Sequence, residues 1–344
     1  MNPAYQHFLK LPDQERRDVF NAAAERLDTL PTYIEKDFWV CRVLDGLYHG
    51  LPDDHPRLLF KGGTSLSKAF GAIRRFSEDI DVVVFRNDLG FTDERDPTRR
   101  GFGRKARERL IGALKESASR YICTDLATCL SELFAPCMIA EDEEDADRST
   151  LLVQYPSLYA SESDTYVAPR IKIEGGARST LDPRADQTVT PYIQEELGGM
   201  ALAIGGVLTL APECTFLEKA LILHGWHCGY RDQKRLPDDR HRLSRHYYDM
   251  GMMAQTAIAD RALGNQALLN QVCDHTMAFF RRSWMKLEEA RPGSIHLIPQ
   301  DALATFLARD YDAMQGMILG ESPPFKDILR SISGLETRLN ALAE

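Results

Sequence analysis

The sequence predicts an α+β protein, with a mixed sheet flanked by helices and a helical C-terminal domain after it. The stretch LLFKGGTSLSKAFGAIRRFSEDIDVVVF, residues 58 to 85, has the pattern of a strand, a glycine turn, a helix and a second strand. After residue 213, long segments carry apolar residues at three- and four-residue spacing, separated by short breaks with Pro or Gly. We therefore predict two domains, residues 1–205 with N-terminal helices and the sheet, and residues 206–344 with helices.

Local patterns predict the individual elements. Residues 13 to 50 are predicted to form two helices, because Pro31 and Thr32 are typical of a helix start and Gly50 of a helix end. Helices are also predicted at 64–73 and 104–121, and strands at 58–60, 79–85, 137–140, 151–155 and 166–176. In the C-terminal domain, five periodic segments begin near residues 214, 242, 265, 300 and 325.

Composition is that of a globular protein of 344 residues, with 44% hydrophobic and 27% charged residues. A net charge of −9 argues against a surface that is coated by nucleic acid, but it allows a local basic groove. The seven cysteines lack the CxxC spacing of zinc and redox sites, which favours reduced thiols. The charged N-terminus is unlike a signal peptide, and no apolar run approaches the length of a membrane span. We therefore expect a cytoplasmic protein without membrane segments, and a monomer by default.

Asp79 and Asp81 stand at alternate positions of an apolar strand, DIDVVVF. Because alternate residues of a strand point to the same side, the two carboxylates are predicted to lie close together. Two like charges held that close either share a proton or bind a cation. Carboxylate oxygens suit Mg²⁺, which also binds phosphate oxygens. For this motif alone, a chance pair on a surface strand remains the alternative.

The glycine turn before the helix has the features of a phosphate site. Gly62 and Gly63 allow a ligand to approach the backbone closely, and the following helix start presents N–H groups together with Thr64 and Ser65. The alternative is a tight strand-to-helix turn in which Thr64 or Ser65 caps the helix. In series with the aspartate pair, the turn predicts a place for a metal-bound triphosphate.

Glu174 is the candidate for a third carboxylate. In the predicted strand YVAPRIKIEGG, Val167, Ile171 and Ile173 lie on one face, whereas Arg170, Lys172 and Glu174 lie on the other. A third carboxylate would complete a two-metal site for phosphoryl transfer. A solvated glutamate at the end of a strand is the alternative.

These motifs resemble the DNA polymerase β-like nucleotidyltransferase superfamily, and FKGGTSLSKAF…RRFSEDIDVVV resembles its AbiEii/AbiGii toxin branch. That branch contains the nucleotidyltransferase toxins of abortive-infection and type IV toxin–antitoxin systems. The resemblance extends to YIEKDFWVCRVL upstream, to LEKALILHG…RHRLSRHYYDM and to the C-terminal helices, so it covers most of the chain from about residue 30. It implies a polymerase β-like core followed by a helical domain.

Position by position, the resemblance implies that Gly63 and Ser65 hold the triphosphate, that Asp79 and Asp81 bind Mg²⁺, and that Asp81 is indispensable. It further implies that Lys219, in the helical domain, contacts the phosphates of the nucleotide. Asp249 would lie beside this lysine and complete the site. At this last motif the family pattern is closer to RDLYDL. His246 stands here in place of the first aspartate of that pattern, so only Asp249 is carried over.

Other charged residues near the motifs have weaker claims. An alternative interpretation of Asp249 is that it pairs structurally with Arg245, one helical turn earlier. One of Arg74 and Arg75 is predicted to contact phosphate, with Arg75 preferred and a surface arginine as the alternative. Lys36 and Asp37 are adjacent in a helix, so at most one of them is predicted to point inward, and neither is included in the predicted site.

The predicted activity is Mg²⁺-dependent transfer of a nucleoside monophosphate from an NTP. The resemblance implies an RNA acceptor, above all the 3′ end of tRNA, so that translation stops, and it implies a cognate antitoxin protein. Two segments rich in Arg and Lys, residues 99–109 and 231–246, are candidates for RNA contact, with solvated charged segments as the alternative. Transfer to a protein or small-molecule hydroxyl, or NTP binding without transfer, remain alternative functions.

Overall fold

A computed structural model of the protein describes residues 1–99, 101–159, 168–238 and 242–343. Its chain divides into two compact units. The sheet unit consists of Met1–Gly71 and Phe76–Leu210, and the helical unit consists of Ala72–Arg75 and the chain from Ala211 onward. The predicted boundary after residue 205 falls inside a strand that ends at Leu210.

Within the described residues, seven strands of the sheet unit form one mixed sheet. The strands are β1 Leu58–Lys61, β2 Asp79–Val84, β3 Met138–Glu141, β4 Thr150–Gln154, β5 Arg170–Glu174, β6 Arg184–Val189 and β7 Ile204–Leu210. Their order is β3-β4-β5-β2-β1-β7-β6. The pairs β2–β5 and β1–β7 are parallel, and the other pairs are antiparallel. Strand β2, which carries the aspartate pair, is therefore central and pairs with β1 and β5.

The helices of the sheet unit are α1 Pro3–Leu9, α2 Asp13–Leu27, α3 Pro31–His49, α4 Gly62–Lys68, α5 Arg104–Tyr121 and α6 Ala127–Leu133. Helix α3 begins at a proline, as predicted, and is buried continuously from Tyr33 to Leu47. It packs against α2, α6 and strands β2, β5 and β7. Because protein surrounds it on all sides, α3 lacks the solvated face of an ordinary surface helix.

The burial of α3 corrects the prediction for Lys36 and Asp37, since both side chains are buried. Lys36 Nζ donates to Glu78 Oε2 at 2.6 Å. The Asp37 carboxylate accepts the backbone N–H of Tyr192 at 2.7 Å and forms an ion pair with Lys68, also at 2.7 Å. Adjacent residues point in different directions, but each direction leads to a partner inside the unit. A helix-face argument fails where no face is exposed.

Helix α4 ends at Lys68 rather than at Ile73, so its predicted end was wrong. Shortly after it, Gly71 has a φ of +58°, a left-handed conformation that interrupts helical geometry. The next four residues, 72–75, belong to the helical unit. There Arg75 forms an isolated antiparallel bridge with Ile318.

The helical unit contains α7 Pro212–Gln233, α8 Ser244–Met253, α9 Ala257–Leu263, α10 Gln266–Phe280, α11 Asp301–Met314 and α12 Phe325–Ala341. Helix α7 is buried along most of its length, and α8 packs against α7, α11 and α12. These two helices carry the predicted lysine and aspartate motifs. In the part of the chain that the structure describes, no helix is long and apolar enough to cross a membrane.

Candidate active site

The predicted site residues fall into one group in each unit, and the group in the sheet unit lies on α4, β2 and β5. On β2, buried Ile80 separates the half-buried Asp79 and Asp81. The parallel register pairs Asp81 with Glu174 and Asp79 with Lys172. Neighbouring strands are about 4.8 Å apart, and residues in register share a face. The three predicted carboxylates are therefore on one face of two central strands.

Glu174 is partly neutralised on that face. Lys172 Nζ lies 3.3 Å from Glu174 Oε1 and 3.1 Å from Asp142 Oδ2. Burial alone would lower the pKa of Lys172, but these two carboxylates raise it above its ordinary value. The side chain of Glu174 remains 43% exposed. Its role as a metal ligand stays a prediction.

The donor set suits Mg²⁺ as a pair of aspartates rather than as a complete protein cage. Among the described residues, no group of three or more His, Cys, Asp or Glu side chains is placed to hold a metal ion. Protein sites for Mg²⁺ commonly supply one or two carboxylates and leave other positions to water and substrate phosphates. Asp79 and Asp81, on one side of the strand, fit that arrangement.

The glycine turn packs directly against Asp81. Gly62 has a φ of +78°, and a Cβ added there would lie 2.9 Å from Cβ of Asp81 and closer still to its carboxylate. The residue must therefore be glycine for two reasons, its backbone conformation and the adjacent side chain. The same contact sets the first turn of α4 beside a predicted metal ligand.

We expect Gly62→Ala to destabilise the protein more than Gly71→Ala. Both glycines have positive φ, which costs an alanine about 1–2 kcal/mol. Only at position 62 does the new methyl group also meet another side chain, whereas at position 71 it would meet nothing within 4 Å. Urea unfolding of the two variants measures the difference. Equal losses would contradict the close packing of the turn on Asp81.

Thr64 and Ser65 are fully buried, and their hydroxyls contact the protein. Thr64 Oγ1 donates to the backbone carbonyl of Asp79 and lies 2.8 Å from Ser77 Oγ. Ser65 Oγ donates to the carbonyl of Gly62 at 2.9 Å. Neither hydroxyl caps α4, so the capping part of the alternative was wrong, but the bonds of Thr64 tie α4 to the strand that carries the aspartates. Contact of either hydroxyl with a triphosphate stays a prediction, as does that of Gly63.

The second group lies in the helical unit around Asp249, which is completely buried. Arg75 donates two hydrogen bonds to its carboxylate, from Nε to Oδ1 at 2.7 Å and from Nη2 to Oδ2 at 2.9 Å. Lys219 Nζ lies 2.9 Å from Oδ2 and 3.2 Å from His246 Nδ1. The partners of Asp249 are thus Arg75 and Lys219, and the alternative pairing with Arg245 was wrong.

In this group two buried cations, Arg75 and Lys219, share the carboxylate of Asp249. Burial alone would raise the pKa of Asp249, but Arg75 and Lys219 outweigh it and hold that pKa well below its usual range. Burial lowers the pKa of Lys219, and Asp249 opposes the shift. Burial and the charge of Lys219 hold the pKa of His246 well below its usual value. The neutral imidazole then accepts from Lys219. Buried cations of this kind suit a phosphate ligand.

His246 is a member of this group that sequence reasoning left out. It precedes Asp249 by three residues on α8, so both lie on one face of the helix. That spacing was the available signal. Arg75, in contrast, donates from Nε and Nη2 to Asp249, and its predicted phosphate contact stays a prediction.

The two basic segments differ in how their cations are held. In the first segment, Arg104, Lys105 and Arg109 are exposed at the start of α5, and Arg100 lies outside the described residues. In the second, Arg231 bonds to Asp232 and Glu289, and the guanidinium of Arg235 lies 4.7 Å from the ring centre of Trp284. Residues 239–241 of that segment are outside the described part. In the first segment Arg104 Nε also donates to Glu108 at 2.8 Å, so exposed cations with and without an acidic partner occur there.

Comparison with known proteins identifies a matching family and a similar solved structure. Residues 45–331 match the model of a family described as nucleotidyl transferase AbiEii toxin, type IV toxin–antitoxin system. MenT4, a nucleotidyltransferase toxin from Mycobacterium tuberculosis, is 16% identical, and the alignment covers 95% of this chain and 98% of that one with a TM-score of 0.45. Among curated proteins, none matches the sequence significantly.

Proposed function

The chain belongs to the AbiEii family of nucleotidyltransferase toxins of type IV toxin–antitoxin systems, and we propose that it transfers a nucleoside monophosphate from an NTP to an RNA acceptor. The preferred acceptor is the 3′ end of tRNA. One observation carries the proposal: the register of β2 and β5 puts Asp79, Asp81 and Glu174 on one face, with the Gly62 turn packed on Asp81.

In the proposed reaction, the 3′-hydroxyl oxygen of the acceptor attacks the α-phosphorus of the NTP. A new phosphodiester bond forms, the bond between the α-phosphorus and the pyrophosphate oxygen breaks, and the hydroxyl proton passes to water. Bound Mg²⁺ would supply charge neutralisation at the phosphates and activation of the attacking oxygen. Asp79 and Asp81 hold the ion. The Gly62–Gly63 turn presents backbone N–H groups to the triphosphate.

Lys219 contacts the phosphates in this proposal. Its support is its position beside Arg75 and Asp249, where two buried cations share one carboxylate, because an anionic phosphate is bound well by cations. Asp249 keeps Arg75 and Lys219 oriented rather than touching the nucleotide itself. His246 accepts one hydrogen of the Lys219 ammonium group and so restricts the direction of the others.

The RNA acceptor is supported by the exposed cations Arg104, Lys105 and Arg109 at the start of α5. Phosphate contacts of this type give affinity without sequence preference. We further propose a cytoplasmic location, where tRNA is found, and a cognate antitoxin as protein partner. A monomer remains the expected state.

The test is transfer of label from each α-labelled NTP in the presence of Mg²⁺ and either total tRNA or total protein. We expect label in the tRNA fraction, and a severalfold loss when Arg104, Lys105 and Arg109 are all changed to Gln. A matched control changes three exposed cations elsewhere: Arg282, Arg309 and Lys326. Label in the protein fraction alone would show that the acceptor is a protein hydroxyl and not RNA. Label in neither fraction, with NTP still bound, would leave a nucleotide-binding module.

A further inference from the structure

A cavity of about 260 Å³ lies in the sheet unit among α1, α2, α3 and the segment after α6. Three cations line it, Lys10, Arg16 and Arg42. Apolar side chains that include Trp39, Leu133 and Phe134 complete the lining. We propose that this cavity binds a small organic anion, a carboxylate or phosphate carried on an apolar body. None of these residues belongs to the proposed nucleotidyltransferase site.

Arg42 is the central observation. The residue is only 2% exposed, yet its Nε and Nη1 have no hydrogen-bond partner within the described part of the chain. Nη1 lies 3.7 Å from Asp45 Oδ2, beyond hydrogen-bond distance. A buried N–H group without an acceptor is unfavourable, because it has lost water and gained nothing in exchange. An anion in the cavity that Arg42 lines would balance the charge of this incompletely paired guanidinium.

Asp45 compensates the charge of Arg42 only in part, since its carboxylate has other partners. Both oxygens accept the backbone N–H of Asn2, at 3.1 and 2.9 Å, and Oδ1 lies 3.1 Å from His49 Nδ1. Burial lowers the pKa of Arg42, and Asp45 opposes that shift. The Arg42 guanidinium is also held 4.8 Å from the ring centre of Phe134. It is therefore fixed at the cavity wall and incompletely paired.

The other lining residues define the rest of the ligand. Arg16 also has a buried Nε without a partner, while its Nη2 pairs with Asp13 at 2.6 Å. The described lining contains no acidic side chain to compete with an incoming anion. Trp39 and Phe134 provide apolar surface for a ring or a short aliphatic body. The volume is below the roughly 300–1,000 Å³ of sites for drug-sized ligands, so the ligand is about the size of benzoate.

The experiment is calorimetric titration of the full chain with benzoate, phenyl phosphate and neutral benzamide at constant ionic strength. We expect saturable binding of at least one anion and none of benzamide; the preferred anion tells carboxylate from phosphate. Arg42→Met should weaken that binding at least tenfold, because a charge-assisted pair is lost. Arg17→Gln is the matched control, since Arg17 lies next to Arg16 in sequence but packs on Tyr159 and does not line the cavity.

Folding of the variants does not limit the test. Arg42→Met takes one cation away from the buried carboxylate of Asp45, which is destabilising, so a second variant accompanies it. If Arg42→Met does not fold, Arg16→Gln at a partly exposed position should still weaken binding severalfold. Absence of saturable anion binding, equal binding of benzamide, or unchanged affinity in the folded Arg42 and Arg16 variants would overturn the proposal.

Discussion

Asp81→Asn is expected to reduce nucleotidyl transfer by about 10²- to 10³-fold or more while the protein stays folded. Asparagine has the shape of aspartate, so the packing against Gly62 is retained. What changes is the negative charge, which the proposed Mg²⁺ needs at this position. Because the ion neutralises charge that develops during transfer, its loss should lower kcat rather than merely raise KM.

Asp186→Asn is the control for this prediction. Asp186 is an exposed aspartate on β6 of the same sheet, far along the strand order from β2. It should retain wild-type activity, and both variants should show the wild-type circular dichroism spectrum and urea midpoint within error. An active, folded Asp81→Asn protein would exclude Asp81 as an essential metal ligand, whatever the acceptor.

The carboxylate face was accessible from sequence because strand periodicity is local. Alternation around Ile80 was enough to put Asp79 and Asp81 on one side, and alternation around Ile173 put Glu174 on the polar face of its own strand. The register that sets Glu174 opposite Asp81 joins strands almost a hundred residues apart in sequence. No local pattern specifies such a register. The sequence could therefore identify Glu174 as a candidate metal ligand, but it could not show that Glu174 lies next to Asp81.

Strands β6 and β7 were missed for physical reasons. Only Val189 is buried in β6, so this edge strand lacks an apolar alternation. Strand β7 contains Gly205 and Gly206, which are weak strand formers and resemble a loop signal. The predicted helix at 104–121, in contrast, matches α5, because one apolar stripe runs along an otherwise charged segment.

The group around Asp249 shows the limit of reasoning from one helix. Spacing alone offered Arg245, one turn away, as its partner. The structure instead uses Arg75, which is 174 residues away in sequence, together with Lys219 from α7. The family resemblance suggested the proximity of Lys219 and Asp249, and the two side chains are 2.9 Å apart in the structure. Their catalytic roles stay predictions.

Asp249→Asn is expected to lower the free energy of unfolding by about 3–5 kcal/mol and to abolish transfer. Removing the carboxylate takes away the counter-charge that Arg75 and Lys219 share. Lys219→Met should behave differently, because the two bonds between Arg75 and Asp249 remain and only one of the two cations is removed. We expect it to lose activity with little loss of stability.

Acid titration provides a second measurement of the same group. The pKa of Asp249 is depressed in the folded protein, so its carboxylate stabilises the fold at any pH above the unfolded value of about 3.9. That contribution is lost progressively as the pH falls below this value toward the folded pKa. Asp249→Asn lacks the contribution at every pH, so the stability difference from wild type should shrink between pH 5 and about pH 2.

Urea unfolding at pH 7 and at acidic pH tests both expectations, with Asp312→Asn as an exposed control in the same unit. The pair of variants separates two roles for the group. If Asp249→Asn is as stable as wild type, Arg75 and Lys219 are not held by this carboxylate in solution. If Lys219→Met is strongly destabilised, the lysine is a structural counter-ion of Asp249 and not a cation kept for phosphate. Loss of activity without loss of stability in Lys219→Met is the result that a phosphate-binding role requires.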